Sequence, residues 1–172
     1  MAHPHSSPVI VPCLKDGYGP ADGCHDNAKR MSQAYGGSVQ RGWSVRAWEG
    51  VSVWLELHSV WRHPEGGLLC VTEPPSAHLD RIAFLPGYSM DAMDSGSPSV
   101  HFPWEDDPLC HEYVELMYAL DRIYFVTGDP LHTKSHVRLD RAARLKARMR
   151  EISRLRLNQM KRHNKSRHSN PH

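Results

Sequence analysis

Val53-Trp54-Leu55-Glu56-Leu57-His58-Ser59-Val60-Trp61 alternates two kinds of side chain, and that alternation decides the fold. Val53, Leu55 and Leu57 fall on one face of an extended strand; Trp54, Glu56, His58 and Val60 fall on the other. Pro64-Glu65-Gly66-Gly67 follows as a hairpin loop. Leu68 to Glu73 is expected to return as the partner strand, ended at Pro74-Pro75 because proline gives no N–H to a ladder. Upstream, Gly42 to Trp48 reads as another strand, with Glu49-Gly50 as a turn. Before it, Cys24, Ala28, Met31 and Tyr35 recur at helical spacing. Asp22 is placed to cap that helix, and Gly36-Gly37 supply the positive φ that its far end needs.

The remaining elements follow from the same two periods. Val9-Ile10-Val11 and Ser99-Val100-His101-Phe102 suit short edge strands, and Arg81 to Leu85 a further strand. Pro108 fits the first position of a helix whose stripe is Leu109, Tyr113, Leu116, Met117 and Leu120. Residues 87–107 otherwise read as loop, and Gly128-Asp129-Pro130 breaks the helical pattern. From Val137 to Met160 a longer helix carries Ala142, Leu145, Met149, Ile152 and Leu155 on one side; residues 161–172 read as disordered. The expected fold class is α+β: an N-terminal helix packed on a small antiparallel sheet, followed by C-terminal helices.

A chain of 172 residues can bury one respectable core. No apolar run approaches the roughly 18 residues that a membrane span needs. Met1 to Pro12 does not read as a signal peptide. The chain is therefore expected to be cytoplasmic, with Cys13, Cys24, Cys70 and Cys110 as reduced thiols or metal ligands. Charge is divided sharply. From Lys134 onward there are 13 Lys/Arg against Asp140 and Glu151, a net +11, whereas residues 1–133 hold 8 Lys/Arg and 17 acids, a net −9. This split suggests an acidic α+β body, 1–133, and a basic helix with a tail, 134–172.

Cys24 at a helix start is the chemically suggestive residue. Free backbone amides and the helix dipole stabilise a thiolate there, and the thiolate is the nucleophilic form. A base held on a strand completes such a site, and His58 is on one. Glu73, at the end of the return strand, can orient the imidazole; Glu56, on the His58 face, is the substitute. Tyr18, six residues upstream of Cys24, is a candidate oxyanion donor. Trp43 and Trp54 are candidates for lining a substrate cleft.

Cysteine at a helix start, histidine in a strand beginning His-x-x-Trp, and an acid about fifteen residues later before proline resembles the transglutaminase-like branch of the papain-type cysteine fold. The match covers about residues 17–75. It implies Cys24 as nucleophile, His58 as base and Glu73 as orienting acid, where that superfamily usually has aspartate. The implied activity is a cysteine hydrolase or acyltransferase acting on an amide or thioester, such as one in a protein or peptide, through an acyl-enzyme and with no cofactor. Two other readings stay open. Cys13, Cys24, His25 and His58 offer zinc ligands, though without a short C-x2-4-C knuckle. The basic segment offers an acidic partner or nucleic acid a docking site, as in a non-enzymatic accessory protein.

Overall fold

Helix α1 (Cys24–Tyr35) stops where glycine allows it: Gly36 and Gly37 have φ of 76° and 79°. A side chain at Gly37 would also run into the carbonyl oxygen of Arg62. Beside it, the indole N–H of Trp61 donates to the Gly36 carbonyl at 2.8 Å. The helix exit is thereby tied to the end of a strand.

The computed structural model describes residues 7–14, 18–19, 23–73, 79–87, 99–124 and 136–168. Besides α1 these form β1 (Val9–Pro12), β2 (Ser38–Trp48), β3 (Ser52–Arg62), β4 (Leu68–Leu69), β5 (Arg81–Pro86), β6 (Ser99–Pro103), α2 (Pro108–Tyr124) and α3 (His136–His168). The strands make one sheet in the order β1-β5-β2-β3-β4, with β6 also pairing with β3. The fold is α+β, as the two periods indicate. Asp22, Pro74-Pro75 and Gly128-Asp129-Pro130 lie outside the described residues. The N-cap position itself is Gly23, with no side-chain cap.

The return stretch departs from expectation. Only Leu68 and Leu69 pair with β3, opposite Arg62 and Trp61. Cys70 and Thr72 instead form parallel bridges with Cys13 and Gly19. The N–H groups of Leu14 and Tyr18 donate to the carbonyls of Cys70 and Val71, at 2.8 and 2.6 Å. The N-terminal segment thus takes over the backbone groups that a longer hairpin would have used.

The chain forms two compact units, Met1–Arg46 with Leu55–Ser95, and Ala47–Trp54 with Gly96–His172. This differs from the division drawn by charge at residue 133, because packing rather than charge groups the elements. In the first unit, alternation makes two clusters. Trp61 and Val71 face Ala28 and Met31 of α1. Val60 and Cys70 join Val11 and Phe84 in the other cluster.

In the second unit Val51, Tyr113, Met149 and Ile152 are the core. Helix α3 buries Ala142, Met149 and Ile152 as its stripe requires, while Leu155 is 36% exposed. Arg148 grips both oxygens of Glu112 on α2, at 2.7 and 2.8 Å. The basic segment is therefore built into a core rather than appended to one. Its helix also runs on to His168 where disorder was expected. Residues 161–168 contain neither Gly nor Pro, and Lys and Arg are good helix formers.

Candidate functional site

The first intrahelical bond of α1 runs from the Asn27 N–H to the Gly23 carbonyl, at 2.8 Å. The amides of Cys24, His25 and Asp26 are consequently free of helical partners. The backbone amide of Ser59 on β3, and after it those of His25 and Cys24, act on the Cys24 thiol to lower its pKa. His25 reaches the same strand residue, with Nδ1 3.4 Å from Ser59 Oγ. An Arg41 N–H donates to His25 Nε2 at 3.1 Å. That contact requires a neutral ring with its proton on Nδ1. Burial first, and then Arg41, hold the His25 pKa below its ordinary value.

Placement at a helix start was expected to depress the Cys24 pKa. Burial outweighs the three amides, and the pKa is raised. The resting group is a thiol.

His58 does not pair with Cys24. Its Nε2 lies 3.2 Å from the sulfur of Cys70. Its ring lies edge-on to Phe84, at a centroid distance of 6.4 Å. The reason is parity. His58 shares its strand face with Val60 and the Phe84 cluster, whereas α1 packs on the alternate face, against Trp61. The Cys24 sulfur accordingly meets β3 at its backbone, at the residue following His58. Burial and, secondarily, the Arg46 guanidinium lower the His58 pKa to about 4. Burial raises Cys70 to about 12, with Cys13 and Cys24 adding to the rise. The pair is a neutral thiol beside a neutral imidazole.

The other residues singled out in the sequence have partners of their own. Glu73 is exposed, and its N–H is drawn to the Gly19 carbonyl at 3.2 Å. Continuing the β3–β4 register would set it opposite Leu57, on the face away from His58. Glu56 shares the His58 face but is held by Arg46 at 2.9 Å. Tyr18 packs edge-on against Tyr35, 6.3 Å between centroids. Tyr35 is the last residue of α1 and Cys24 the first, about 17 Å apart along the axis, so the phenol cannot serve Cys24.

The proposed zinc ligands part company, because His25 turns to Arg41 and Ser59 while His58 and Cys13 turn to Cys70. Among the described residues no group of three or more His, Cys, Asp or Glu is arranged to hold a metal ion. Trp43 and Trp54 are both half-buried. Neither lines the groove of about 540 Å3 at the start of α1, which is formed by His25, Lys29, Val39, Gln40, Arg41 and Gly87.

Cys70 and Arg41 are the residues that sequence reasoning passed over. Cys70 had a readable signal. The five residues from His63 to Gly67, by pairing Arg62 with Leu68, make Cys70 a diagonal neighbour of His58 on the same face, whereas a four-residue Pro64–Gly67 loop would have set it opposite Trp61. Arg41 had none, since its role depends on where α1 lies beside β2.

Fold and site together define an α+β protein with a thiol at a helix start and a separate thiol–imidazole pair, Cys70 and His58, on the sheet. Comparison with models of known families, with curated proteins and with solved structures finds no match. Among the described residues no helix is long and apolar enough to cross a membrane.

Proposed function

We propose that the protein is a cysteine-dependent hydrolase or acyltransferase acting on an amide or thioester through a covalent intermediate on Cys24. The observation that carries this reading is the place of Cys24 as the first residue of α1, where its thiol feels the backbone amides of Ser59, His25 and Cys24 itself. Such amides stabilise a developing thiolate and, once the sulfur is acylated, suit a developing oxyanion. His58 is the base. The Cys70 S–H can turn to the Thr72 carbonyl, 3.9 Å away, which leaves its sulfur to accept the His58 Nε2–H. That tautomer puts the free lone pair on Nδ1. In this scheme the Cys24 proton reaches Nδ1 through one water, since the two side chains do not touch in the resting structure, as the sulfur bonds to the carbonyl carbon, and is then delivered to the departing amine or thiol. Water or a second nucleophile releases the acyl group. Catalytic hydrogen bonds of this kind commonly tighten only when substrate arrives.

Lys29 and Arg41 in the neighbouring groove favour an acyl donor with an acidic group. The chemistry is tested by incubating the protein with a small panel of thioesters and activated esters, including one bearing a carboxylate, and weighing the intact protein. An acyl mass increment mapped to Cys24, absent in Cys24→Ser and slowed at least tenfold in His58→Ala, is the expected result. Adducts spread over Cys13 and Cys24 alike, and indifferent to His58, would sink the proposal.

A further inference from the structure

Helix α3 has 33 residues, and the core claims only one side of it. Ala142, Met149, Ile152, Ser153 and Arg156 are buried there. At about 100° per residue, Arg144, Arg150, Arg154, Lys161 and Arg162 fall within about 120° of one another on the opposite side. All five are exposed. None of them has an ion pair or hydrogen bond to another described residue. The acids in the same arc are Asp140, one turn before the first arginine, and Glu151, whose carboxylate is held by Arg148 at 2.8 Å. From Arg144 to Arg162 the stripe is about 27 Å long.

We propose that this stripe docks on the phosphodiester backbone of nucleic acid. Charge complementarity carries the choice. In a stretch with a net +11, five cations without an ion pair to another described residue share one line on solvent, and about 27 Å of that line matches roughly eight phosphate steps of one strand at 3.4 Å each. Four of the five cations are arginines, whose planar forks suit phosphate oxygens. A protein partner would call for an apolar centre. The arc between the cations instead holds Ala147 and Asn158, and the exposed Leu155 and Leu157 fall outside it on opposite sides. The stripe has no residue in common with the Cys24 site, so the two proposals stand or fall separately.

The test is fluorescence anisotropy of the full chain with a 20-base-pair DNA duplex, an RNA duplex of the same sequence, and polyglutamate of similar charge, between 50 and 200 mM salt. Both duplexes share the relevant chemistry, and the tighter one identifies the source of the phosphates. The expected log–log salt slope is about −4 to −5 for five phosphate contacts. Substituting Arg150→Gln, Arg154→Gln and Lys161→Gln together should bring the slope to about −2 and weaken binding at least tenfold at 50 mM salt. The thermal transition should not move, because these side chains are exposed. Arg144→Gln with Arg162→Gln gives a second, independent reading, expected to cut the slope by about two. A control with Arg30, Arg62 and Arg81 changed to Gln has the same net charge as the triple variant and should bind as the parent does. The proposal is overturned if neither duplex binds at 50 mM salt, if the control weakens binding as much as the stripe variant, or if polyglutamate binds as tightly as the duplexes.

Discussion

The Nε2 of His58 and the sulfur of Cys70 lie 3.2 Å apart, on one face of a sheet whose register sets Trp61 opposite Leu69. The contact holds the imidazole in place without charging it. With His58 at about 4 and Cys70 at about 12, no proton passes between them in the resting state. A carboxylate in the same position would do something different, because an anion stabilises the imidazolium.

Cys70→Asp is therefore expected to raise the His58 pKa by about one to three units, the usual effect of an opposite charge in contact. Cys70→Val, which keeps the site apolar, should leave His58 near its present low value. Titration of the His58 ring protons by NMR reads both. A His58 pKa unmoved by the aspartate would mean that the 3.2 Å contact is not made in solution.

The same pair sets how stability varies with pH. His58 is about 4 when folded and about 6.5 in an unfolded chain. The unfolded state then binds more protons between those values, and stability should fall as pH drops from 6.5 towards 4. Cys70 acts at the other end. Its folded value of about 12 stands above the ordinary 9.0, so stability should fall as pH rises past 9. Denaturant midpoints across pH should show both slopes. His58→Gln should flatten the acid limb and Cys70→Val the alkaline one, and limbs of unchanged steepness would refute the burial of this pair.

Arg156 is 5% exposed, and its Nε donates to the Gly50 carbonyl at 2.9 Å while its NH1 meets Asp107 at 2.9 Å. Glu105 is a third partner. Arg156→Ala should cost about 3–5 kcal/mol, since it leaves a buried carbonyl with only the weak Cys110 S–H donor and a half-buried carboxylate without its cation. Arg150→Ala, six residues away on the exposed side, should cost less than about 0.5 kcal/mol. Urea denaturation that finds the two variants equal would contradict the packing of α3.

Gly37→Ala meets two obstacles, a φ of 79° and the Arg62 carbonyl. The left-handed conformation alone costs about 1–2 kcal/mol for a residue with a side chain, and the close approach adds to it. Gly66→Ala also has a positive φ, 100°, but open space around it, so it should cost less. Equal losses of melting temperature would show that the chain does not pass Arg62 so closely.

The amino-acid sequence by itself determined the elements. Alternation in Val53–Trp61, the helical spacing from Cys24 to Tyr35 and the glycines that end α1 are local properties, written in side-chain period and backbone freedom. They suffice for an α+β fold, for a cysteine at a helix start and for a buried stripe on α3. Tertiary structure decided which groups meet. Glu73 misses the imidazole because the register would set it opposite Leu57, on the other face, and the N-terminal segment takes over the return strand after Leu69 in any case. Cys70 gained it because the five residues from His63 to Gly67 set the register. Tyr18 went to the far end of α1, and Arg156, a charged residue on an apolar stripe, found a carbonyl 106 residues away. Each outcome turns on the closure of loops and the parity of strands. A period of two states which side chains share a face, but only the packed chain settles what lies across from them.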